Sequence, residues 1–281
     1  MNNLAQTNPD WVTPTFCIFD DLMKTINPNQ SHAGRPRDVT GSEAATMCLI
    51  KAAYAITPLK ACYRLIKERF TAEFKLPTYK SFVESMNNYT PHFMLMISIL
   101  LSIRNKKAGI VKITDSTPLP VCKNIRINLH KVMKRIATRY KTTTGYFYGL
   151  KLHVISDHKG NLLQVIFTTA NVDDRVVLDR FLDTLYHNLI LADAGYISPK
   201  LVKKAYQHNN LLLTGMRKNM KRLATQLEID LLNLRIHVEH LFSVLKERYG
   251  LITSLPRSEK GYLAHYVRSI FAYLYLPLVI S

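Results

Sequence analysis

Acidic residues are scarce in this chain of 281 residues: 20 Asp and Glu stand against 38 Lys and Arg, which leaves a formal net charge of +18. An excess of one sign repels itself in a folded chain, so the composition favours a polyanionic partner. The basic residues are spread along the whole chain rather than gathered on one amphipathic helix. This distribution favours nucleic acid over a membrane surface as that partner.

Cysteines and long apolar runs are also few. The four cysteines form no Cys-x-x-Cys pair and have no histidine at zinc spacing, which argues against a disulfide scaffold and a zinc cluster. The apolar run 93–103 has about half of the roughly 20 residues that a membrane span needs. The first ten residues lack the basic and apolar regions of a signal peptide. We therefore expect a cytoplasmic protein with reduced thiols.

Residues 1–106 carry mostly helical signals. Capping and proline signals predict the starts of four helices, at Thr40, Thr57, Pro77 and Thr90. Short helices with a basic exterior are typical of a helix-turn-helix-like DNA-binding domain, and a bundle that only packs against the next domain is the alternative. Arg35 and Arg37 lie in a Gly-Arg-Pro-Arg sequence that resembles a minor-groove arm, with a solvated linker as an equal alternative.

From about residue 108 the periodicity changes to that of a sheet. Short apolar or alternating runs predict strands at 110–113, 147–155, 162–168, 189–192 and 211–214. Helical patterns predict helices at 174–186, 199–207 and 226–248. This order predicts an α/β domain over 107–281, with a mixed five-stranded sheet and flanking helices. The apolar segment 270–280 is expected to dock on this core as a C-terminal helix.

Three acidic residues stand at informative positions in that layout. Asp115 and Asp193 each follow a short apolar run, and charged groups at strand ends of open α/β sheets face the crevice where ligands bind. Glu239 lies on the predicted helix 226–248, where helical geometry places Arg235 and Lys246 on the same face. Each has an ordinary explanation when it is taken singly. The aspartates would be turn or cap residues, and Arg235 with Glu239 would form a surface ion pair.

Taken together, the three carboxylates predict a metal site, which none of them predicts alone. Cleavage of a phosphodiester needs an activated water or hydroxyl and stabilisation of the charge on phosphorus, and two Mg²⁺ ions about 3.5–4 Å apart supply both. Because Mg²⁺ prefers carboxylate oxygens, Asp115, Asp193 and Glu239 are candidate ligands of such a pair. The neighbouring pair Asp173 and Asp174 competes for the place of the second aspartate, but it opens a helix and is explained by N-capping.

Three motifs of the chain resemble the signatures of insertion-sequence DDE transposases. They are Asp115-Ser116 after a strand, Asp193-Ala194-Gly195-Tyr196, and the spacing of Arg235, Glu239 and Lys246. The resemblance covers about residues 110–250, and the chain is most similar to the bacterial insertion-sequence family called nine-eighty-two. It departs from the related signature at Leu232, where a tyrosine is often found.

The resemblance implies a ribonuclease-H-like core and a chemistry. Mg²⁺, for which Mn²⁺ is the expected substitute, would be held by Asp115, Asp193 and Glu239. The enzyme would hydrolyse the transposon ends, free 3′-OH groups and transfer them to target DNA. Arg235 and Lys246 would contact DNA near the scissile phosphate. The expected partners are double-stranded transposon ends and target DNA, bound by a homodimer or higher oligomer in a nucleoid-associated, prokaryotic setting.

Two basic segments are candidate phosphate contacts, with solvated loops as the alternative. The first lies between Asp115 and the second strand and includes Lys131 and Arg135; the second comes before the glutamate helix and comprises Arg217, Lys218, Lys221 and Arg222. Two other functions stay open for the whole chain. A ribonuclease-H-like nuclease would cut DNA without joining it, and a catalytically silent DNA-binding protein would do neither.

Overall fold

A computed structural model describes residues 9–26, 38–142, 145–216 and 223–280 of the chain. The chain divides into two compact units, Met1–Ile99 with Leu245–Ser281, and Leu100–Val244. The first unit is helical and the second contains the sheet. None of the helices within the described ranges is both long and apolar enough to cross a membrane.

Helices and strands follow one another in two blocks along the chain. Five helices come first: α1 (Val12–Ile26), α2 (Gly41–Ala53), α3 (Leu59–Arg69), α4 (Tyr79–Asn88) and α5 (Thr90–Lys107). The strands and remaining helices follow: β1 (Val111–Pro120), β2 (Thr138–Thr142), β3 (Gly145–Asp157), β4 (Leu162–Thr169), α6 (Asp174–Leu182), β5 (Leu189–Ala192), α7 (Pro199–Gln207), β6 (Leu211–Thr214), α8 (Gln226–Asn233), α9 (Ile236–Glu247) and α10 (Glu259–Val279).

The helical unit is organised around α2, which is buried on nearly all of its faces. The predicted capping box is present at its start, where the Thr40 hydroxyl accepts from the Glu43 N–H and the Glu43 carboxylate accepts from the Thr40 N–H. Helix α10 contacts α2 and α4. Its Phe271 ring lies 4.8 Å from the ring of Phe93 and 5.6 Å from that of Phe19. Aromatic packing therefore joins the two ends of the chain in one unit.

The C-terminal segment departs from the predicted domain boundary. Residues Leu245–Ser281 belong to the helical unit, whereas the sequence pattern placed 107–281 together in the sheet domain. The reason is that α10 is apolar along most of its length, and apolar composition does not tell which core a helix will join. The start of the sheet unit at Leu100 lies close to the predicted boundary at residue 107.

The second unit is the predicted α/β layer around a mixed sheet. Strands β1, β3 and β4 form an antiparallel meander, and β5 and β6 continue the sheet in parallel with β1. Helices α6 and α7 cover one side, where their apolar residues pack with β3, β4 and β5 in a buried cluster that includes Ile155, Leu178 and Ile190. The mixed sheet with flanking helices expected from the sequence is confirmed, with the sheet extended to six strands.

Three details differ from the sequence prediction. Strand β2 was not predicted. It pairs antiparallel with the start of β3, so the sheet has six strands and not five. Asp115 lies inside β1 rather than after its end. The long helix predicted for 226–248 is two helices, α8 and α9, because the N–H groups of Leu234 and Arg235 bond to the carbonyls three residues before them and tighten the chain.

One glycine positions the start of α9. Gly160, in the turn between β3 and β4, has a φ of +81° and its α-carbon faces the backbone of His237. A Cβ at this position would lie 3.2 Å from the His237 carbonyl oxygen, and the positive φ would strain any other L-residue. The glycine therefore allows the β3–β4 turn to lie close to the first turn of the helix that carries Glu239.

Candidate active site

The two aspartates lie level with each other on neighbouring strands. The parallel register of β1 and β5 pairs Lys112 with Ile190 and Ile113 with Leu191, and two further positions bring Asp115 level with Asp193. Pairing between the strands stops before these residues, while β1 stays paired with β3 beyond Asp115. Ligands of α/β sheets are commonly placed where parallel strands cease to pair, so this edge of the sheet is the candidate site.

A single guanidinium lies between the two carboxylates. Arg235, in the turn between α8 and α9, places its Nη2 3.6 Å from the Asp115 Oδ2 and its Nη1 3.4 Å from the Asp193 Oδ1. Both distances exceed the roughly 2.7–2.9 Å of a strong charge-assisted hydrogen bond, so both contacts are loose. The Arg235 Nε is buried and has no hydrogen-bond partner among the residues that the structure describes. Asp115 and Asp193 thus face one cation, which neither binds tightly.

Asp115 is held in an unfavourable environment for its charge. Burial raises the pKa of this carboxyl to about 6, and the negative charges of Asp193 and Asp174 add to the increase. The N–H of Ser116, 2.8 Å from Asp115 Oδ1, and the Arg235 guanidinium act in the opposite direction. Asp193 is much more open, since 56% of its side chain is exposed. The site therefore combines a buried and an exposed carboxylate.

Glu239 is close in sequence to this arrangement but does not complete it. It is exposed in the first turn of α9, and its N–H donates to the Arg235 carbonyl oxygen at 3.3 Å. Within the described ranges, which contain all three predicted ligands, no three His, Cys, Asp or Glu residues are grouped so that they could hold a metal. Lys246 is half-buried in the last turn of the same helix and belongs to the helical unit. Its predicted contact with DNA stays a prediction.

Comparisons with known proteins decide the family. A family model described as a transposase DDE domain matches residues 104–258, more than half of the chain. The chain belongs to the transposase DDE domain family. The insertion-sequence family called nine-eighty-two stays a prediction within it. No curated protein matches the chain.

Two solved structures are similar to this DDE transposase chain at a low level. One is the Mos1 transposase paired-end complex with the left transposon end, which is 9% identical, with 81% of this chain and 84% of that chain covered and a TM-score of 0.25. The other is a pre-cleavage Mos1 transpososome, also 9% identical, with 94% and 87% covered and a TM-score of 0.21.

The DDE domain has a second buried polar cluster, which the sequence analysis missed. The Asp174 carboxylate accepts from the Ser116 hydroxyl at 3.0 Å and from the Lys151 ammonium at 2.6 Å. His153, in the same strand as Lys151, lies with its Nδ1 3.7 Å from Asp174 and its Nε2 2.9 Å from the Thr168 hydroxyl. Burial lowers the pKa of His153 to about 4. Because Ser116 follows Asp115 directly, this cluster fixes the backbone next to the first aspartate.

Asp173 and Asp174 have different roles, although the sequence analysis treated them as one N-capping pair. Asp173 is the N-cap of α6 and accepts from the N–H of Arg175, as predicted. Asp174 occupies the first turn of α6 and binds Lys151 on β3. The sequence did contain a sign of this cluster, because Lys151 and His153 lie within the strand predicted at 147–155. Both are buried in β3, and buried charged groups need partners.

The predicted DNA-contacting residues of the sheet unit are partly described. Lys131 and Arg135 are exposed in the segment that leads into β2. In β2 itself, the Arg139 guanidinium lies 4.5 Å and the Lys141 ammonium 5.8 Å from the ring centre of Tyr146. The basic connection is therefore partly a strand with an aromatic partner and not wholly a loop. The remaining candidates lie outside the described residues: Arg35, Arg37, Arg217, Lys218, Lys221 and Arg222.

The donor atoms of the site fit a hard divalent cation in part. Two carboxylates on adjacent strands face a common cationic group, and carboxylate oxygens are the ligands that Mg²⁺ prefers. A cation would also relieve the repulsion that contributes to the raised pKa of Asp115. Asp115, Asp193 and Glu239 stay the predicted ligand set, and the structure brings the first two to one guanidinium.

Proposed function

We propose that the chain is the DNA transposase of an insertion sequence, which binds the terminal inverted repeats and hydrolyses a phosphodiester at each end. The freed 3′-OH then attacks a phosphodiester of the target DNA, forms a new bond to its phosphorus and displaces the 3′ oxygen of the target strand. The observation that supports it most is the pair of level carboxylates, Asp115 and Asp193, facing one guanidinium in a chain of the DDE family. A polyanionic substrate also agrees with the formal net charge of +18.

Asp115, Asp193 and Glu239 are the residues proposed to hold Mg²⁺. When bound, two such ions activate the attacking water or hydroxyl and stabilise the charge that develops on phosphorus. Asp115 must lose its proton before it can act as a ligand, and its pKa of about 6 leaves it mostly ionised at neutral pH. Because a proton on Asp115 competes with the metal, Mg²⁺ binding and activity are expected to weaken as the pH is lowered toward 6, and a higher Mg²⁺ concentration is expected to restore them.

Arg235 is proposed to act on the DNA rather than on the metal. Its loose contacts with Asp115 and Asp193 neutralise two carboxylates that would otherwise repel each other. A guanidinium also suits the bidentate binding of a phosphate. We propose that Arg235 exchanges the carboxylates for a DNA phosphate near the scissile bond. The exposed cations before and within β2, among them Lys131, Arg135 and Lys141, are proposed to contact the backbone further away.

The test is a cleavage and joining assay with Mg²⁺, in which the purified full-length protein is given end DNA and a target plasmid. Asp115→Ala, Asp193→Ala and Glu239→Ala should each leave less than about 1% of the parent rate, because each removes a metal ligand. Asp230→Ala is the matched control, since Asp230 is an exposed carboxylate on the neighbouring helix α8 and should keep the parent rate.

The products separate the proposed function from its alternatives. Joined plasmid products support a transposase, cleaved but unjoined DNA indicates a nuclease on the same core, and binding without Mg²⁺-dependent cleavage indicates a silent binder. Glu239→Ala also tests whether Glu239 is the third metal ligand. If this variant cleaves at more than a few per cent of the parent rate, another carboxylate is the third ligand, and Asp174 is then the first to test because it already acts on the pKa of Asp115.

A further inference from the structure

The helical unit contains a cavity of about 670 Å³ that plays no part in the proposed chemistry. Its volume lies within the roughly 300–1,000 Å³ of sites for small molecules. The lining residues all belong to the helical unit, and three helices begin at the cavity. Lys60 lies in the first turn of α3, Tyr79 and Lys80 open α4, and Ser258 is the N-cap of α10.

Three converging helix starts give the cavity a positive potential. Each contributes backbone N–H groups without helical partners and the positive end of a helix dipole, which together attract anions. Thr78 and Ser258 each cap one N–H with their hydroxyls, whereas α3 begins after Pro58 with no side-chain cap. At α3 the third N–H, that of Ala61, bonds to the Pro58 carbonyl instead at 3.1 Å, so the three helix starts are comparable.

Arg268 is the independent sign that an anion belongs here. This arginine lines the cavity and is only 4% exposed. Its Nη1 donates to the Met86 carbonyl and to the Asn87 Oδ1, which are both neutral acceptors. Its Nε is buried without a hydrogen bond, and no carboxylate in the described part of the chain pairs with it. Since arginine keeps its charge in proteins, and a buried charge without a counter-charge is costly, an anion in the cavity would stabilise the guanidinium.

The rest of the lining indicates what carries that anion. The cationic residues Lys60, Lys80 and Arg257 line the cavity together with Arg268, and Glu84 is the one acidic residue among the lining residues. Most of the remaining wall is apolar and includes Leu59, Val83, Leu255 and Pro256, with Tyr79 as an accessible aromatic ring. The site therefore suits one anionic group attached to an apolar, flat body.

We infer that the helical unit binds a nucleoside monophosphate, either free or as an unpaired nucleotide of a DNA strand. The phosphate would lie at the helix starts beside Arg268, and the base would contact Tyr79 and the apolar wall. A single nucleotide matches the volume, whereas a paired duplex would have to open to place one of its bases in the cavity. The inference rests on the helical unit alone and does not depend on the proposed catalysis.

Calorimetric titration of the full-length protein tests the site, with 2′-deoxyadenosine 5′-monophosphate as the probe. One equivalent should bind, at least about tenfold more tightly than deoxyadenosine or inorganic phosphate alone, because a charge-assisted hydrogen bond alone contributes about tenfold or more. Lys60→Glu should weaken binding at least about tenfold for the same reason. Lys67→Glu is the matched control, because it makes the same charge change at the exposed far end of α3 and should change affinity less than about twofold.

Competition between the bound probe and duplex DNA shows whether the site takes a free nucleotide or a nucleotide of DNA. Displacement of the probe by a duplex with one unpaired nucleotide, and not by a fully paired duplex, assigns the site to DNA; binding of the probe without such displacement assigns it to a free nucleotide. The inference is overturned if the probe does not bind at millimolar concentration, or if both lysine variants weaken binding equally. Asp115→Ala should bind the probe normally, so a failure of the proposed catalysis would not be mistaken for a failure of this site.

Discussion

The buried carboxylate of Asp115 is expected to cost stability in the metal-free protein at neutral pH. Its pKa is raised from the ordinary 3.8 to about 6, so the folded chain holds this proton more tightly than the unfolded chain does. The stability that the proton contributes is present below about pH 3.8 and is lost as the pH rises through about 6. Asp115→Asn keeps the shape of the side chain without its charge, so it should stabilise the protein increasingly from about pH 4 upward, with the full gain above about pH 6.

The size of the effect follows from the pKa shift. The rise in the pKa of Asp115 from 3.8 to about 6 corresponds to about 3 kcal/mol of unfolding free energy. Only 20% of the side chain is exposed, so solvent screening reduces this value little. The variant should exceed the parent by about 1.5 kcal/mol at pH 5, where the unfolded carboxyl is ionised and the folded one is mostly protonated. The difference should approach about 3 kcal/mol at pH 8.

Urea unfolding of the parent and of Asp115→Asn at pH 5 and pH 8 measures this difference in stability. The contributions of other titrating groups cancel because both proteins contain them. Asp193→Asn is the control at the same edge of the sheet, and because its side chain is 56% exposed it should change stability by less than about 0.5 kcal/mol. Added Mg²⁺ should stabilise the parent more than Asp115→Asn, because the variant lacks a ligand. A variant no more stable than the parent at pH 8, or a gain that does not grow with pH, would refute the reasoning.

Three further predictions concern other buried groups. Burial lowers the pKa of His265 to about 3, so stability should fall as the pH drops below 6.5, by about 2 kcal/mol at pH 5; His265→Gln should lose this dependence in urea unfolding. Phe271→Ala should cost about 3–5 kcal/mol because it removes the ring that stacks on Phe93, whereas the exposed Leu278→Ala should cost little. Asp174→Asn should cost about 1–3 kcal/mol by leaving the Lys151 ammonium buried without its carboxylate, and Asp183→Asn, an exposed control, should cost less than half of that.

Elements with strong local patterns could be predicted from the sequence. The start of α2 followed from its capping box, and β5 and β6 coincide with the apolar runs 189–192 and 211–214. Strand β2 could not be found in this way, because its exposed residues include Arg139, Tyr140 and Lys141 and carry no apolar signal. Such a strand forms because β3 extends beyond its other neighbours and offers free backbone groups. Charged side chains are common on strands at a sheet edge.

The structure only partly supports the sequence pattern from which Asp115 and Asp193 are predicted to be site residues. The apolar runs before Asp115 and Asp193 correctly indicated strands that lie side by side. Asp115, however, is inside β1, and it lies where pairing with β5 has stopped rather than at the end of its own strand. The position of Arg235 was also predicted from a premise that the structure does not bear out. Its shared helical face with Glu239 was inferred from a continuous helix, yet its contact with both aspartates is made from the turn between α8 and α9.

Helix α10 changes how the proposed division of labour has to be understood. The sequence pattern assigned residues 1–106 to a DNA-binding domain, but the core of the helical unit includes Phe271 and Arg268 from the other end of the chain. Residues 1–106 alone would expose Phe19 and Phe93 and would leave the Met86 carbonyl without its arginine donor. A module built from both termini loses its core when either end is removed. DNA binding by the helical unit is therefore best tested by point substitutions in the full chain, because residues 100–244 of the sheet unit come between its two segments in the sequence.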